Sequence, residues 1–193
     1  AALVQHENVL LEAHESYLKQ SYRNRCYIDS PNGKLLLNLP VSHKQGKLIS
    51  EVEISYQENW VSKHIQALQT TYRNSPFYDA IAPALFECLG QKPAKLWDLN
   101  FLLFKEIGQW LRIETTVGFT PTWDNNPQNR LDLRAAFDPK KISWAKSFSA
   151  YPQAFDHKHG FLKNLCILDL LFNEGPAAYD YLKEVEFVFS PTS

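Results

Sequence analysis

Residues Lys19 to Ile28 read KQSYRNRCYI, which places Lys19, Arg23 and Arg25 among two tyrosines, Asn24 and Cys26. Neither a plain surface strand nor a core segment needs that mixture. If the stretch is extended, Arg23 and Arg25 share one face and Asn24 takes the other. Two guanidinium forks on one face suit a phosphate or a carboxylate, and Lys19 adds a third cation nearby. Internal carboxylates at Glu12, Glu15 or Asp169 would satisfy the same arginines equally well, and one arginine can serve each purpose. Cys26 lies between Arg25 and Tyr27, the one cysteine in a cationic setting of the kind that activates a thiol. A lone cysteine in a strand otherwise serves packing.

Asp169 sits in the mostly apolar stretch GFLKNLCILDLLFNEG, where Phe161, Leu165, Leu168 and Phe172 form one stripe. A buried, ionised Asp is costly unless it is paired. Either it bonds a neighbouring backbone or takes an arginine as a structural pair, or it orients Arg23 or Arg25 in a site. Asn173 closes the same stretch. Tyr151 and Gln153, in YPQAF, would present a ring and an amide to a sugar or a nucleobase, or else form a rigid turn. Tyr72 ends the apolar series Val61, Ile65, Leu68, Tyr72. We count Lys19, Arg23, Asn24, Arg25, Tyr72, Tyr151, Gln153, Asp169 and Asn173 as substrate-binding candidates, with Glu12 and His64 as candidate bases.

The six histidines show no H-E-x-x-H or comparable spacing, and the three cysteines form no C-x-x-C, so no metal site is expected. His157 and His159 read as an exposed loop. With seven glycines and neither a P-loop nor a G-x-G-x-x-G, no glycine-rich phosphate cradle and no cofactor are expected. No G-x-S-x-G elbow is present.

The chain has 193 residues, 45% hydrophobic and 13% aromatic, with 20 Lys and Arg against 21 Asp and Glu. That length fits one domain over residues 1–193. The balanced charge argues against bulk nucleic-acid binding, which favours a basic face. Widely spaced cysteines fit a reducing cytoplasm. No apolar run is long enough to span a membrane. The abrupt apolar start and the absence of any Met lead us to expect an N-terminal piece before Ala1.

The elements that must hold these residues follow from periodicity. AALVQHE resembles the last turns of a helix, and NVLLEA a strand delivering Glu12. CYIDSPNGKLLLNLPV reads as a hairpin about Asn32-Gly33. ISEVEIS reads as a strand. A helix starts at Trp60. Ser75-Pro76 reads as the start of a second, which ends near Gly90, and Asp98 as the cap of a third. IETTVGF follows as a strand, Thr120 to Asn129 as a loop, and Gly160 to Gly175 as one helix. RLDLRAAF and ISWAKSF are ambiguous. The order predicts an α/β fold with a central mixed sheet and flanking helices, a Rossmann-like core if a further strand precedes Ala1; the alternative is α+β.

The ordered series KQSYRNRCYI, NGKLLLNLPV, WVSKHIQALQTTYRNSPFY, LWDLN, YPQAF and NLCILDLLFNEG resembles the WbqC-like protein family across most of the chain. Members carry an upstream Tyr- and Pro-rich turn and, in some, a middle Ser-Gly motif; neither is found here. The family is named from surface-polysaccharide gene clusters. The resemblance implies a cytoplasmic transferase of O-antigen-type biosynthesis acting on an activated or anionic sugar-type small molecule, by acyl, aminoacyl or other sugar-modifying transfer. The alternative is a non-catalytic sugar- or partner-binding protein of the same pathway.

Overall fold

A computed structural model describes residues 1–42, 47–125, 127–137 and 148–186. Helices and a small set of parallel and antiparallel strands make an α/β arrangement. After α1 (Ala2–Gln5), β1 (Asn8–Leu11) pairs in parallel with the distant β4 (Thr116–Phe119), in the register Asn8 to Thr116 and Leu11 to Phe119. β2 (Arg25–Ile28) and β3 (Leu35–Asn38) form the antiparallel hairpin, Arg25 opposite Asn38. The hairpin turns at Gly33, whose φ of 95° is one that a residue without Cβ adopts freely. The mixed sheet is thus two separate two-stranded ladders, one parallel and one antiparallel.

Three long helices follow: α2 (Trp60–Tyr72), α3 (Tyr78–Gly90) and α4 (Leu96–Trp110). Three short ones close the described chain: α5 (Asp156–His159), α6 (Ile167–Glu174) and α7 (Ala178–Glu184). One apolar core joins Ile28 and Leu37 of the hairpin to Leu68, Tyr72, Ile81, Leu85, Leu171 and Phe172. A second gathers Val41, Ile49, Val52, Ile54, Trp60, Leu96 and Leu99 under the start of α4. The Gln5 amide ties α1 to the end of α7, donating to Leu182 O at 2.9 Å and Val185 O at 2.8 Å.

Four boundaries differ from the sequence expectation, each through a tertiary contact. ISEVEIS is a 3-10 turn, Ile49–Glu51, followed by single bridges from Glu53 to Lys95 and Val41 to Ile54. α3 starts at Tyr78 rather than beside Ser75, because Ser75 Oγ bonds Asn173 Oδ1 at 3.1 Å and the Phe77 N–H bonds Phe172 O at 3.0 Å. α4 starts at Leu96, whose N–H donates to Val52 O at 2.8 Å, and leaves Asp98 in its first turn. The helix expected from Gly160 is confined to Ile167–Glu174. Asn164 takes a φ of 57°, and the Cys166 N–H reaches across to Tyr27 O at 2.6 Å. Of ISWAKSF, residues 142–147 lie outside the described residues.

Candidate functional site

Glu12 directly follows β1 and Thr120 directly follows β4, so the parallel pairing puts both at the carboxyl end of the ladder. The Thr120 N–H extends the pairing to Leu11 O at 3.1 Å. A cleft of about 1190 Å³ runs along the ladder, from Ala2 and His6 past Asn8–Leu11 to Glu12 and Thr120. The Glu12 side chain, 8% exposed, lines it. Its Oε1 accepts from the His14 N–H at 2.8 Å and the Thr120 hydroxyl at 2.7 Å. Its Oε2 lies 3.5 Å from Arg134 Nη1.

Arg134 is itself fixed. Its Nε and Nη2 donate to the Asp132 carboxylate at 2.9 and 2.6 Å, and its guanidinium sits 4.2 Å over the Trp123 ring. That fork lowers the Asp132 pKa and raises that of Arg134. Glu15 and Arg23 form a second fork in the same cleft, Nε donating to Oε1 at 2.6 Å and Nη2 to Oε2. The Asn100 amide of α4 donates to Arg23 O at 2.8 Å and holds that turn in place. Trp97 and Phe101 pack on Phe119 at 5.9 and 5.4 Å and form an aromatic side. At Gly118 an added Cβ would stand 2.9 Å from Leu10 Cδ2, the end of an exposed side chain that can shift.

Residues Lys19 to Ile28 divide between two clefts. Arg23 lies in a turn, not in the strand, so it does not share a face with Arg25 as extended backbone would require. Arg23 is the arginine that takes an internal carboxylate. Lys19, Asn24, Arg25 and His64 line a second cleft of about 730 Å³, with Tyr17, Lys63 and Trp60. The Arg25 Nη2 donates to Gln20 O. His64 packs on Trp60 with ring centroids 5.2 Å apart. Burial lowers its pKa, while contact with the Asn38 backbone opposes that shift.

Asp169 has neither arginine. It is 0% exposed, and its carboxylate accepts from Tyr72 Oη and Tyr151 Oη at 2.7 Å each and from Gln153 Nε2 at 3.1 Å. Burial raises its pKa against the pull of these donors, and burial followed by the Asp169 charge raises both tyrosines. Tyr151 and Gln153 therefore point into the core, where YPQAF had offered them to a ligand. Asn173 Nδ2 caps the Asp169 carbonyl at 2.7 Å. Cys26 is no activated thiol: its hydrogen bond with Cys166, then burial, push its pKa well up.

Sequence reasoning missed Asn100, Thr120, Asp132 and Arg134. Thr120 directly follows the strand-forming stretch IETTVGF, a readable signal, but Asp132 and Arg134 sit in a segment with no clear period. It also missed Asp29, 0% exposed, whose Oδ1 is 3.0 Å from His159 Nε2 and whose Oδ2 accepts from the Phe155 N–H at 2.9 Å. His159 thus ends a short helix and, partly exposed, pairs with the buried Asp29, rather than lying in an open loop.

Among the described residues no group of three or more His, Cys, Asp or Glu is placed to hold a metal ion, and no helix is long and apolar enough to cross a membrane. No curated protein matches the chain, and no solved structure does. The model of one family matches residues 2–141, which include both clefts' main polar groups, and the chain belongs to that family, the WbqC-like protein family.

Proposed function

We propose that the chain is a transferase of surface-polysaccharide biosynthesis and that the cleft along β1 and β4 takes an activated sugar-type small molecule. The observation that carries this reading is Glu12, a largely covered carboxylate fixed at the carboxyl end of a parallel strand pair inside a large cleft. Ligands of α/β folds bind beyond the carboxyl ends of the strands. The volume is slightly above the range of about 300–1,000 Å³ common for small-molecule sites, room for a sugar and its activating group. The aromatic side suits the apolar face of a sugar ring, and the paired charges opposite it offer fixed donors and acceptors.

In the step we assign, Glu12 Oε2 takes the proton of an acceptor hydroxyl while that oxygen forms its bond to the transferred group. The activating group departs with the electron pair of the broken bond. Arg134, 3.5 Å from Glu12 and held by Asp132, supplies positive charge beside the developing negative charge. Thr120 and the His14 N–H fix the carboxylate and so act as positioning groups. The concave, charge-lined shape at Arg23 favours this reading over a flat aromatic face for a binding partner.

The test is transfer to sugar acceptors from a panel of nucleotide-activated sugars and acyl donors, measured for the parent chain and for Glu12→Gln. General base catalysis contributes about 10²–10⁴-fold. A loss of that size in kcat with KM little changed is expected. Equal kcat in the two proteins would refute Glu12 as the base.

A further inference from the structure

The second cleft differs from the first in charge. In the first, Arg23, Arg130 and Arg134 face Glu12, Glu15, Asp124 and Asp132, and two of the three guanidiniums are forked to carboxylates. In the second, Lys19, Arg25 and Lys63 face Glu58 as the one carboxylate among the described lining residues. Among the described residues Glu58 pairs with Lys63 alone, at 3.9 Å across two well-exposed side chains, a pair too solvated to neutralise the site.

Two buried atoms in this wall lack partners among the described residues: Arg25 Nε and Asn24 Oδ1. Asn24 is 6% exposed, and its Nδ2 is already committed to Leu39 O at 2.9 Å, which leaves Oδ1 as the acceptor on offer. A buried polar atom without a partner costs about 1–3 kcal/mol, so a fold rarely keeps two in the wall of one cleft. Arg25 meanwhile spends Nη2 on the carbonyl of Gln20, a residue held at a φ of 58° where side chains are strained. That carbonyl is a neutral, exposed acceptor, which an oxyanion outcompetes.

We propose that this second cleft binds a phosphorylated, hydroxylated small molecule of the sugar-phosphate class. Arg25 exchanges the Gln20 carbonyl for the phosphate and forks it through Nε and Nη2. Asn24 Oδ1 accepts a ligand hydroxyl, and Lys19 and Lys63 balance the remaining charge. His64 forms the side against which the sugar lies, with the buried Trp60 packed behind it. A phosphomonoester carries about −1.5 to −2 charge at neutral pH, which matches the surplus of cations better than a carboxylate does. The site stands whether or not Glu12 performs chemistry in the first cleft.

The experiment titrates the chain with glucose 1-phosphate, glucuronate, glucose and inorganic phosphate, by calorimetry and by NMR of the arginine Nε–H groups. Glucose 1-phosphate is expected to bind at least ten-fold tighter than glucuronate or inorganic phosphate and at least a hundred-fold tighter than glucose. The Arg25 Nε–H resonance is expected to shift. Arg25→Gln is expected to lose at least ten-fold in affinity, and Lys63→Ala, at an exposed position that the fold does not need, several-fold. Lys183→Ala, at an exposed position outside both clefts, is expected to leave the affinity unchanged. Equal affinity for glucose and glucose 1-phosphate would overturn the proposal, as would unchanged affinity in both Arg25→Gln and Lys63→Ala. A glucuronate preference would reassign the site to carboxylates and overturn the phosphate claim. Failure of Glu12→Gln to alter transfer leaves all these outcomes unaffected, so the two readings fail separately.

Discussion

Replacing Asp169 with Asn tests whether the buried carboxylate stabilises the fold. Three donors converge on it, two tyrosine hydroxyls at 2.7 Å and one amide at 3.1 Å. Hydrogen bonds to a charged acceptor contribute about 1.5–3 kcal/mol each. An Asn keeps one acceptor oxygen, which one tyrosine retains as a neutral bond. The Asn NH₂ then faces the other tyrosine, whose hydroxyl can rotate to accept, and the Gln153 amide, which cannot. Gln153 keeps its second bond, to Leu162 O at 3.0 Å. Against the loss stands relief from burying a charge, since burial is the main cause that raises the Asp169 pKa. The balance is a destabilisation of about 2–4 kcal/mol. For a chain of this size that lowers Tm by about 4–16 °C. Asp169→Leu, which leaves all three donors without an acceptor, is expected to cost more than Asp169→Asn. Urea unfolding followed by tyrosine fluorescence measures both. An Asp169→Asn protein as stable as the parent would mean that the charge costs more to bury than its donors return, and the structural reading of this cluster would be wrong.

Two further outcomes follow. In an NMR titration His159 is expected to titrate above 6.5, through its bond to the Gly160 carbonyl and then the Ser30 carbonyl and Asp29, and His64 below 6.5 through burial. The signs for stability are opposite: the His159 contribution is complete below pH 6.5 and fades as pH rises through its folded pKa, whereas His64 weakens the fold as pH falls below 6.5. The reverse order of the two titrations would refute the assigned environments. Gly175→Ala is expected to cost more than about 2 kcal/mol in urea unfolding, because a Cβ would stand 2.5 Å from the Phe77 ring at a φ of 54°. Gly118→Ala, which meets only the mobile end of Leu10, is expected to cost less than Gly175→Ala, and an equal or greater cost would contradict the packing described.

Much of the fold was legible because local pattern and tertiary structure agree. The hairpin about Gly33, the helix from Trp60 and the strand Thr116–Phe119 all follow from turn chemistry or from period. Asp169 was recognisable as buried and paired because a charge in an apolar stripe demands it. Its partners were not legible, since Tyr72 and Tyr151 are 97 and 18 residues away and no local rule joins them. The Arg23 and Arg25 pair was misread as one face because the strand begins only at Arg25. The turn before it sends the two guanidiniums into different clefts. Arg134 and Asp132 escaped notice because they sit in irregular backbone, where type and spacing carry no signal.

The central claim is that the cleft along β1 and β4 takes the sugar-type substrate, and its own indoles report on it most directly. Trp97 lines that cleft and Trp123 packs on Arg134 beside it, whereas Trp60 lines the second cleft. Titration of the chain with UDP-glucose, followed through the indole N–H resonances, should shift Trp97 and Trp123 along one saturable curve. Saturable binding that moves Trp60 but leaves Trp97 and Trp123 unchanged would contradict it.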